Sequence, residues 1–285
     1  MPPRRVRLDA ELVRRGLAAS RTQAQDLIAQ RRVTVAGAPA RKASTQVDPD
    51  APITVAPGPP AYASRGGHKL AGALDAFGID VAGRVALDAG AAHGGFTDVL
   101  LQRGAARVVA VDVGYGQLDQ RLRRDPRVVV RERTNVRTLQ PSDVGPPAPD
   151  LVVADLSFIS LVTVLPALVA VAAPDADHVL LVKPQFEAGR ERVGRGGVVR
   201  DSAVWLDVLR RVAAAAAGLG RGVAGACVSP LPGPAGNVEF FLHLRPAGDP
   251  RLPADVELLL AAAVADGRRL ARDGTAAIGD AQTSG

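Results

Sequence analysis

The sequence predicts an α/β protein with a mostly parallel sheet covered on both faces by helices, preceded by a small basic α+β domain. Three observations predict it. Apolar strand-like runs recur at 84–90, 107–114, 127–133, 150–157 and 178–184, with helical stretches between most of them, and such alternation builds parallel sheets. The first 60 residues read instead as helix, helix and hairpin, and a stretch with five prolines at 49–61 separates the two patterns. Five of the six net positive charges fall in residues 1–60, where ten Arg and Lys face five acids. A basic segment on a nearly neutral body suggests that the small part meets a polyanion, the alternative being a solvated basic face.

Taken in order, LDAELVRRGL (8–17) puts Leu8, Leu12, Val13 and Leu17 on one helical face that Gly16 closes, and Ser20 can cap a second helix over 21–30. RVTVAGAPA (32–40) alternates and turns at Gly37. A last short strand runs into the proline-rich linker. The expected domains are 1–60, a linker at 61–64, a main domain at 65–248 with a late strand over 236–245, and a C-terminal helix (254–272) and unstructured tail within 249–285.

Composition excludes several classes. The longest apolar stretch, LVTVLPALVAVAA (161–173), is interrupted by Thr163 and Pro166 and is too short for a bilayer core of about 30 Å. The basic N-terminus runs into Asp9 and Glu11 with no apolar signal region, so no secretory signal and no membrane partner are expected. One cysteine, Cys227, excludes an intrachain disulfide and fits a reducing cytoplasm. The four histidines, His68, His93, His178 and His243, show no ligand spacing, so no metal is expected.

LDAGAAHGGFTDVLLQRGA (87–105) is a strand, a glycine turn and a helix, with Asp112 ending the next strand. Glycines let a backbone pass close to a ligand, and an acid some twenty residues on can hold ribose hydroxyls. The glycines are Gly90, Gly94 and Gly95, not the G-x-G-x-x-G of a pyrophosphate turn, and Asp88 sets an anion beside them. An ammonium or sulfonium suits that better than a phosphate, so S-adenosyl-L-methionine is favoured over a nicotinamide cofactor; a purely structural turn is the third reading. Asn135, after the third strand, is either an adenine-side contact or a turn residue.

Only three lysines stand against thirty-two arginines. Arginine stays charged and cannot act as a base, whereas a lysine amine can, so the survivors are worth testing for chemistry. Lys42 reads as surface. Lys183 ends the strand pattern HVLLVKP (178–184) directly before a proline. Asp155 ends the fourth strand, and in an open α/β sheet both would face the crevice at the strands' carboxyl ends. Spacing says little about Lys69 or Glu239; the alternatives are a surface salt bridge for Lys69 and a buried structural pair for Asp155 with Lys183.

Two resemblances sharpen this. Residues 6–55 resemble the small RNA-binding domain shared by ribosomal small-subunit protein four, pseudouridine synthases and tyrosyl-tRNA synthetases; the match implies that Arg4, Arg14, Arg15, Arg21, Arg31 and Arg32 face RNA. With Tyr62 the only aromatic residue before Phe77, binding would rest on phosphate and shape. The blocks SRGGHKL, LDAGAAHGGFTDVLL, VDVGYGQL, DLSFISL, LVKPQFEAG and PLPGPAGNVEFF resemble the TlyA family, ribosomal RNA 2′-O-methyltransferases with an FtsJ-like domain. The similarity covers about residues 4–245 and implies a Rossmann-like methyltransferase fold, an S-adenosylmethionine site including Phe96, and a catalytic tetrad of Lys69, Asp155, Lys183 and Glu239. Its partners would be ribosomal RNA or ribosomal subunits, and no obligate protein partner is inferred. His93 in the glycine loop and Tyr62 in the linker depart from the family pattern.

Lys183 is the expected base for a ribose hydroxyl, with Asp155 and Glu239 to orient it. The fourth-strand exit, Asp-Leu-Ser-Phe, lacks the Asn/Asp-Pro-Pro-aromatic arrangement of amino-directed methyltransferases, and Cys227 in GACVSP is expected away from any strand end. Two further readings stand beside this one: a ribosome-binding assembly factor with an inactive fold, and, from the family's association with haemolysis, a membrane-active protein.

Overall fold

The computed structural model describes residues 5–18, 20–29, 31–56 and 62–282, leaving out the side chains of Thr22, Asp26 and residues 273–282. The chain forms two compact units, Met1–Ala61 and Tyr62–Gly285. In the first, helices Leu8–Arg14 and Arg21–Ala29 share a core with short strands. A three-stranded antiparallel sheet runs in the order Ala38–Pro39, Val33–Val35, Ile53–Val55, and Val6–Arg7 pairs with Gln46–Val47. Helices of seven and nine residues are too short to persist alone in water. Their order comes from the burial of Leu8, Leu12, Leu27 and Ile28 against Val33 and Val47.

The second unit is built on seven strands: β1 (Val85–Ala89), β2 (Arg107–Val111), β3 (Val128–Arg131), β4 (Leu151–Ala154), β5 (Asp177–Val182), β6 (Arg221–Val228) and β7 (Phe240–Pro246). They lie in the order β6-β7-β5-β4-β1-β2-β3. β1 to β5 pair in parallel, and β7 pairs antiparallel with both neighbours, β5 and β6. Side chains alternate along each strand, so Leu151 and Val153 enter one core with α1 (Gly66–Phe77) and α2 (Gly95–Gln102). Val152 and Ala154 enter the other, with α3 (Leu161–Ala170), α4 (Ser202–Ala217) and α5 (Val256–Gln282). Burial on both faces makes the central strands continuous apolar runs, each large side chain contributing roughly 1.5–3 kcal/mol.

Three details differ from expectation. β6 was not among the expected strands, because RGVAGACV offers glycine and alanine where alternation would be read. Cys227 is therefore the penultimate residue of a strand, not remote from one; burial pushes its thiol up to about 12, which leaves it inert as a nucleophile. The C-terminal helix runs on to Gln282, through an alanine-bearing stretch expected to be unstructured. Of the linker, Ala61 lies outside the described residues, while the Ala63 N–H donates to Asp98 at 2.8 Å and Tyr62 meets the His68 ring edge to face at 5.0 Å.

Candidate active site

Strand order reverses between β1 and β4, and the crevice opens at their carboxyl ends. Gly90, with φ of 89°, follows β1; a Cβ there would lie 2.5 Å from the Asp155 carbonyl oxygen, so the turn closes against the β4 exit only without a side chain. The Asp155 N–H in turn donates to the Ala89 carbonyl at 3.0 Å. β5 stops at Lys183 because Pro184 cannot donate to the ladder and instead starts the one-turn helix Pro184–Glu187. Lys69 sits in the first turn of α1. Glu239 immediately precedes β7, and because β7 runs antiparallel its beginning lies at the edge where β5 ends.

The four side chains line one cleft of about 700 Å³ as two ion pairs. Lys69 Nζ meets Glu239 Oε2 at 2.6 Å, and Lys183 Nζ meets Asp155 Oδ1 at 2.6 Å. Lys69, Lys183 and Glu239 are buried. Removing one member of a buried pair costs roughly 3–5 kcal/mol by stranding the other charge. The geometry also brings in residues the sequence did not single out. Ser157 Oγ accepts from Lys183 Nζ at 2.9 Å, and Gln185 Nε2 donates to Glu239 Oε1 at 3.2 Å. Phe158 is 91% exposed with a left-handed φ of 63°, and its ring lies 5.0 Å from Phe186. An exposed, strained aromatic residue at a cleft is a functional signal. The motifs DLSF and KPQF contain these side chains, yet nothing in their spacing says which way they point.

At the glycine end, Asp88 is buried in β1; its Oδ2 accepts from Thr97 Oγ1 at 2.6 Å, and its Oδ1 has no partner among the described residues. Burial pushes the carboxyl up to about 7, and the neighbouring charges of Asp155 and Asp112 add to the rise. An orphaned buried carboxylate oxygen fits a cationic ligand. Asp112 Oδ2 accepts from the Ala92 N–H at 2.8 Å and Oδ1 from the Gly114 N–H at 2.7 Å, tying the glycine loop to the β2 exit beside a cavity of about 10 Å³. Gly94, with φ of 90°, leaves room for Leu122, and Gly95 leaves room for Ser64. Phe96 is buried against Phe241, ring centroids 6.2 Å apart, and supports the loop from below. Asn135 is exposed and caps a short turn, accepting from the Arg137 N–H at 3.0 Å. Among the described residues, no cluster of His, Cys, Asp and Glu could hold a metal ion.

In the first unit, Arg14 and Arg15 both reach the buried Glu11, and Arg21 together with Arg7 reaches the buried Asp9. The Arg14 and Arg15 guanidinium groups hold Glu11 down to about 2. Arg15 also donates to the carbonyls of Pro49 and Ala51, and Arg32 to that of Ala56, so both brace the unit. Arg14 and Arg21 remain more than half exposed, and Arg31 is exposed, so all three can meet a ligand. Arg4 lies outside the described residues.

A mostly parallel sheet with one reversed strand, and a polar cleft at its switch point, defines the class as a methyltransferase fold. The sequence profile of FtsJ-like methyltransferases matches residues 62–246 and that of the S4 domain matches residues 6–53; the chain belongs to the FtsJ-like methyltransferase family. It is 59% identical, over 88% of its length and 94% of the relative, to the 16S/23S rRNA (cytidine-2′-O)-methyltransferase TlyA of Mycobacterium tuberculosis. It is 36% identical, over 84% of its length and 99% of the relative, to Hemolysin A of Brachyspira hyodysenteriae. The solved structure of a hemolysin candidate from Streptococcus thermophilus superposes with a TM-score of 0.73 at 38% identity, covering 95% of this chain and 98% of that one.

Proposed function

We propose that this protein transfers a methyl group from S-adenosyl-L-methionine to a ribose 2′-hydroxyl of ribosomal RNA. The observation that carries the reading is the cleft in which Lys183 and Lys69 each meet a carboxylate at 2.6 Å. The cofactor supplies a methyl group on a sulfonium whose departure as a neutral thioether drives the transfer. Asp88 takes its ammonium on the orphaned oxygen, and Asp112 offers an acceptor to its ribose. In its uncharged form Lys183 accepts the hydroxyl proton while the oxygen attacks. Asp155 and Ser157 fix the position of Nζ, and Lys69 with Glu239 completes the polar wall. Phe158 and Phe186 present π-faces on which the acceptor base can stack.

The N-terminal unit, residues 1–60, serves as the RNA-finding module, joined through 61–64 to a catalytic domain at 65–248 and followed by the C-terminal segment 249–285. Deleting residues 1–60 is expected to leave cofactor affinity unchanged while weakening RNA binding and flattening its salt dependence. An unchanged salt slope would contradict this division. Ribosomal subunits as substrate and a cytoplasmic location follow from the same reading.

The atom methylated is the direct test. A 2′-O-methyl group removes the nucleophile that alkali uses to cut the next phosphodiester, so labelled RNA should keep its label in an alkali-resistant dinucleotide. Cytidine, the nucleoside named for the Mycobacterium tuberculosis relative, is the first acceptor to assay. Label on a base would overturn the reading. An inactive assembly factor would have no need for both complete ion pairs. As to membrane activity, no helix among the described residues is long and apolar enough to cross a bilayer.

A further inference from the structure

Some arginines of the second unit are tied to acids, as Arg84 is to Asp177, Arg103 to Asp75, Arg121 to Asp98 and Arg210 to Glu257, and others, such as Arg107 and Arg221, donate to backbone carbonyls. At the cleft stand arginines of a different kind. Arg65 lines the cleft, is exposed, and has no acid partner among the described residues. Gly196 and Gly197, which follow Arg195 in sequence, line the same cleft. Arg190, Arg195 and Arg200 of this segment are likewise exposed and without an acid partner among the described residues.

The segment is held in place by buried groups. Asn237 lines the cleft two residues before Glu239 and is 2% exposed. Its Oδ1 accepts from the Val199 N–H at 2.9 Å, and its Nδ2 donates to the Gly197 carbonyl at 2.9 Å. The Trp205 indole donates to the Val199 carbonyl at 2.9 Å, and the Gly194 N–H donates to the Val198 carbonyl at 3.1 Å. A buried carboxamide and a buried indole thus commit their hydrogen bonds to a loop whose own side chains are mostly charged and solvent-facing. Unpaired guanidinium groups on a fixed backbone are preorganised for phosphate, which matches their planar fork of donors.

We propose that Arg65 with Arg190, Arg195 and Arg200 forms a phosphate clamp that grips the RNA strand carrying the acceptor ribose, and that Asn237 is the positioning residue that holds the loop at the cleft. The proposal rests on the RNA-methylating reading and gives the catalytic unit its own RNA contact, separate from the arginines of residues 1–60. Its ligand is the phosphodiester backbone of RNA whose acceptor nucleotide has left the stack, because Lys183 lines the cleft with only 9% of its surface exposed and a ribose held inside a duplex would meet it poorly.

The test uses the full chain with Arg190→Gln, Arg195→Gln and Arg200→Gln combined, against Arg210→Gln as the control for loss of a surface arginine. Binding of a short single-stranded RNA of mixed sequence is followed across a salt series, and methyl transfer is measured on unmethylated ribosomal RNA. Each lost phosphate contact removes about 0.7 from the slope of log affinity against log salt, so the triple variant should flatten it by about 2. Its KM for RNA should rise at least tenfold while cofactor affinity and melting temperature match the parent, and Arg210→Gln should change none of these. Asn237→Ala should raise KM for RNA with all four arginines present and cofactor affinity retained. A triple variant with the parent's salt slope and KM overturns the clamp. Loss of affinity for anionic lipid vesicles with RNA binding unchanged overturns it too. If the parent transfers no methyl group to ribosomal RNA, the functional reading fails, and the salt slope alone still decides the clamp.

Discussion

Replacing Lys183 with arginine should reduce methyl transfer by about 10²- to 10⁴-fold while cofactor affinity stays within about twofold of the parent. That loss corresponds to about 3 to 5 kcal/mol of transition-state stabilisation. Arginine keeps the positive charge beside the half-buried Asp155, so the variant avoids leaving that carboxylate without its cation, as alanine would. It removes only the capacity to take a proton, because guanidinium does not lose its own. Single-turnover transfer of a labelled methyl group, with cofactor titration on the same preparation, reads both quantities. A variant that transfers at the parent's rate would remove Lys183 as the base and leave its pair with Asp155 a structural feature.

Asp88 should make cofactor binding pH-dependent. Its carboxyl lies near 7 in the folded protein, because of burial, and near 3.9 in an unfolded chain. Between those values the folded state holds a proton that the unfolded state releases, so the stability owed to this group is fully present below about pH 4 and is lost as pH rises through about 7. Binding a cation there needs the carboxylate, so affinity should strengthen as pH rises toward and past 7, by up to about tenfold per unit below it. Asp88→Asn should weaken cofactor binding, flatten its pH profile, and raise the ligand-free melting temperature at pH 8 relative to the parent. Calorimetric titration in buffers of different ionisation heat counts the protons released on binding. A cofactor affinity independent of pH from 6 to 8 would refute the assignment of Asp88 to the ammonium.

The central strands were legible because burial on both faces leaves a continuous apolar run, and in β4 and β5 the first polar residue past the run, Asp155 or Lys183, lands in the crevice. The first unit was legible for a similar reason, since Leu8 and Leu12 keep helical spacing and do pack together. The pairing of Lys69 with Glu239 was not legible. It depends on β7 being inserted in reverse between β5 and β6, and β6 carries too few large side chains to announce itself. Arg15 and Arg32 also donate to backbone carbonyls, a bracing contact that counting charges does not reveal. Phe158 belongs to the DLSF motif, but spacing encodes neither its exposure nor its left-handed backbone.

The reversed strand also sets when the cleft can first exist during synthesis. Lys69 and Glu239 are 170 residues apart, and the strand that follows Glu239 completes the sheet by slotting between two strands already made. A nascent chain that has emerged only as far as β6 therefore holds Lys69 without its carboxylate and leaves the edge of β5 unpaired. The polar wall of the cleft closes only once translation has passed Pro246. Until that strand is added, the growing polypeptide can hold Lys183 beside Asp155 but not Lys69 beside Glu239.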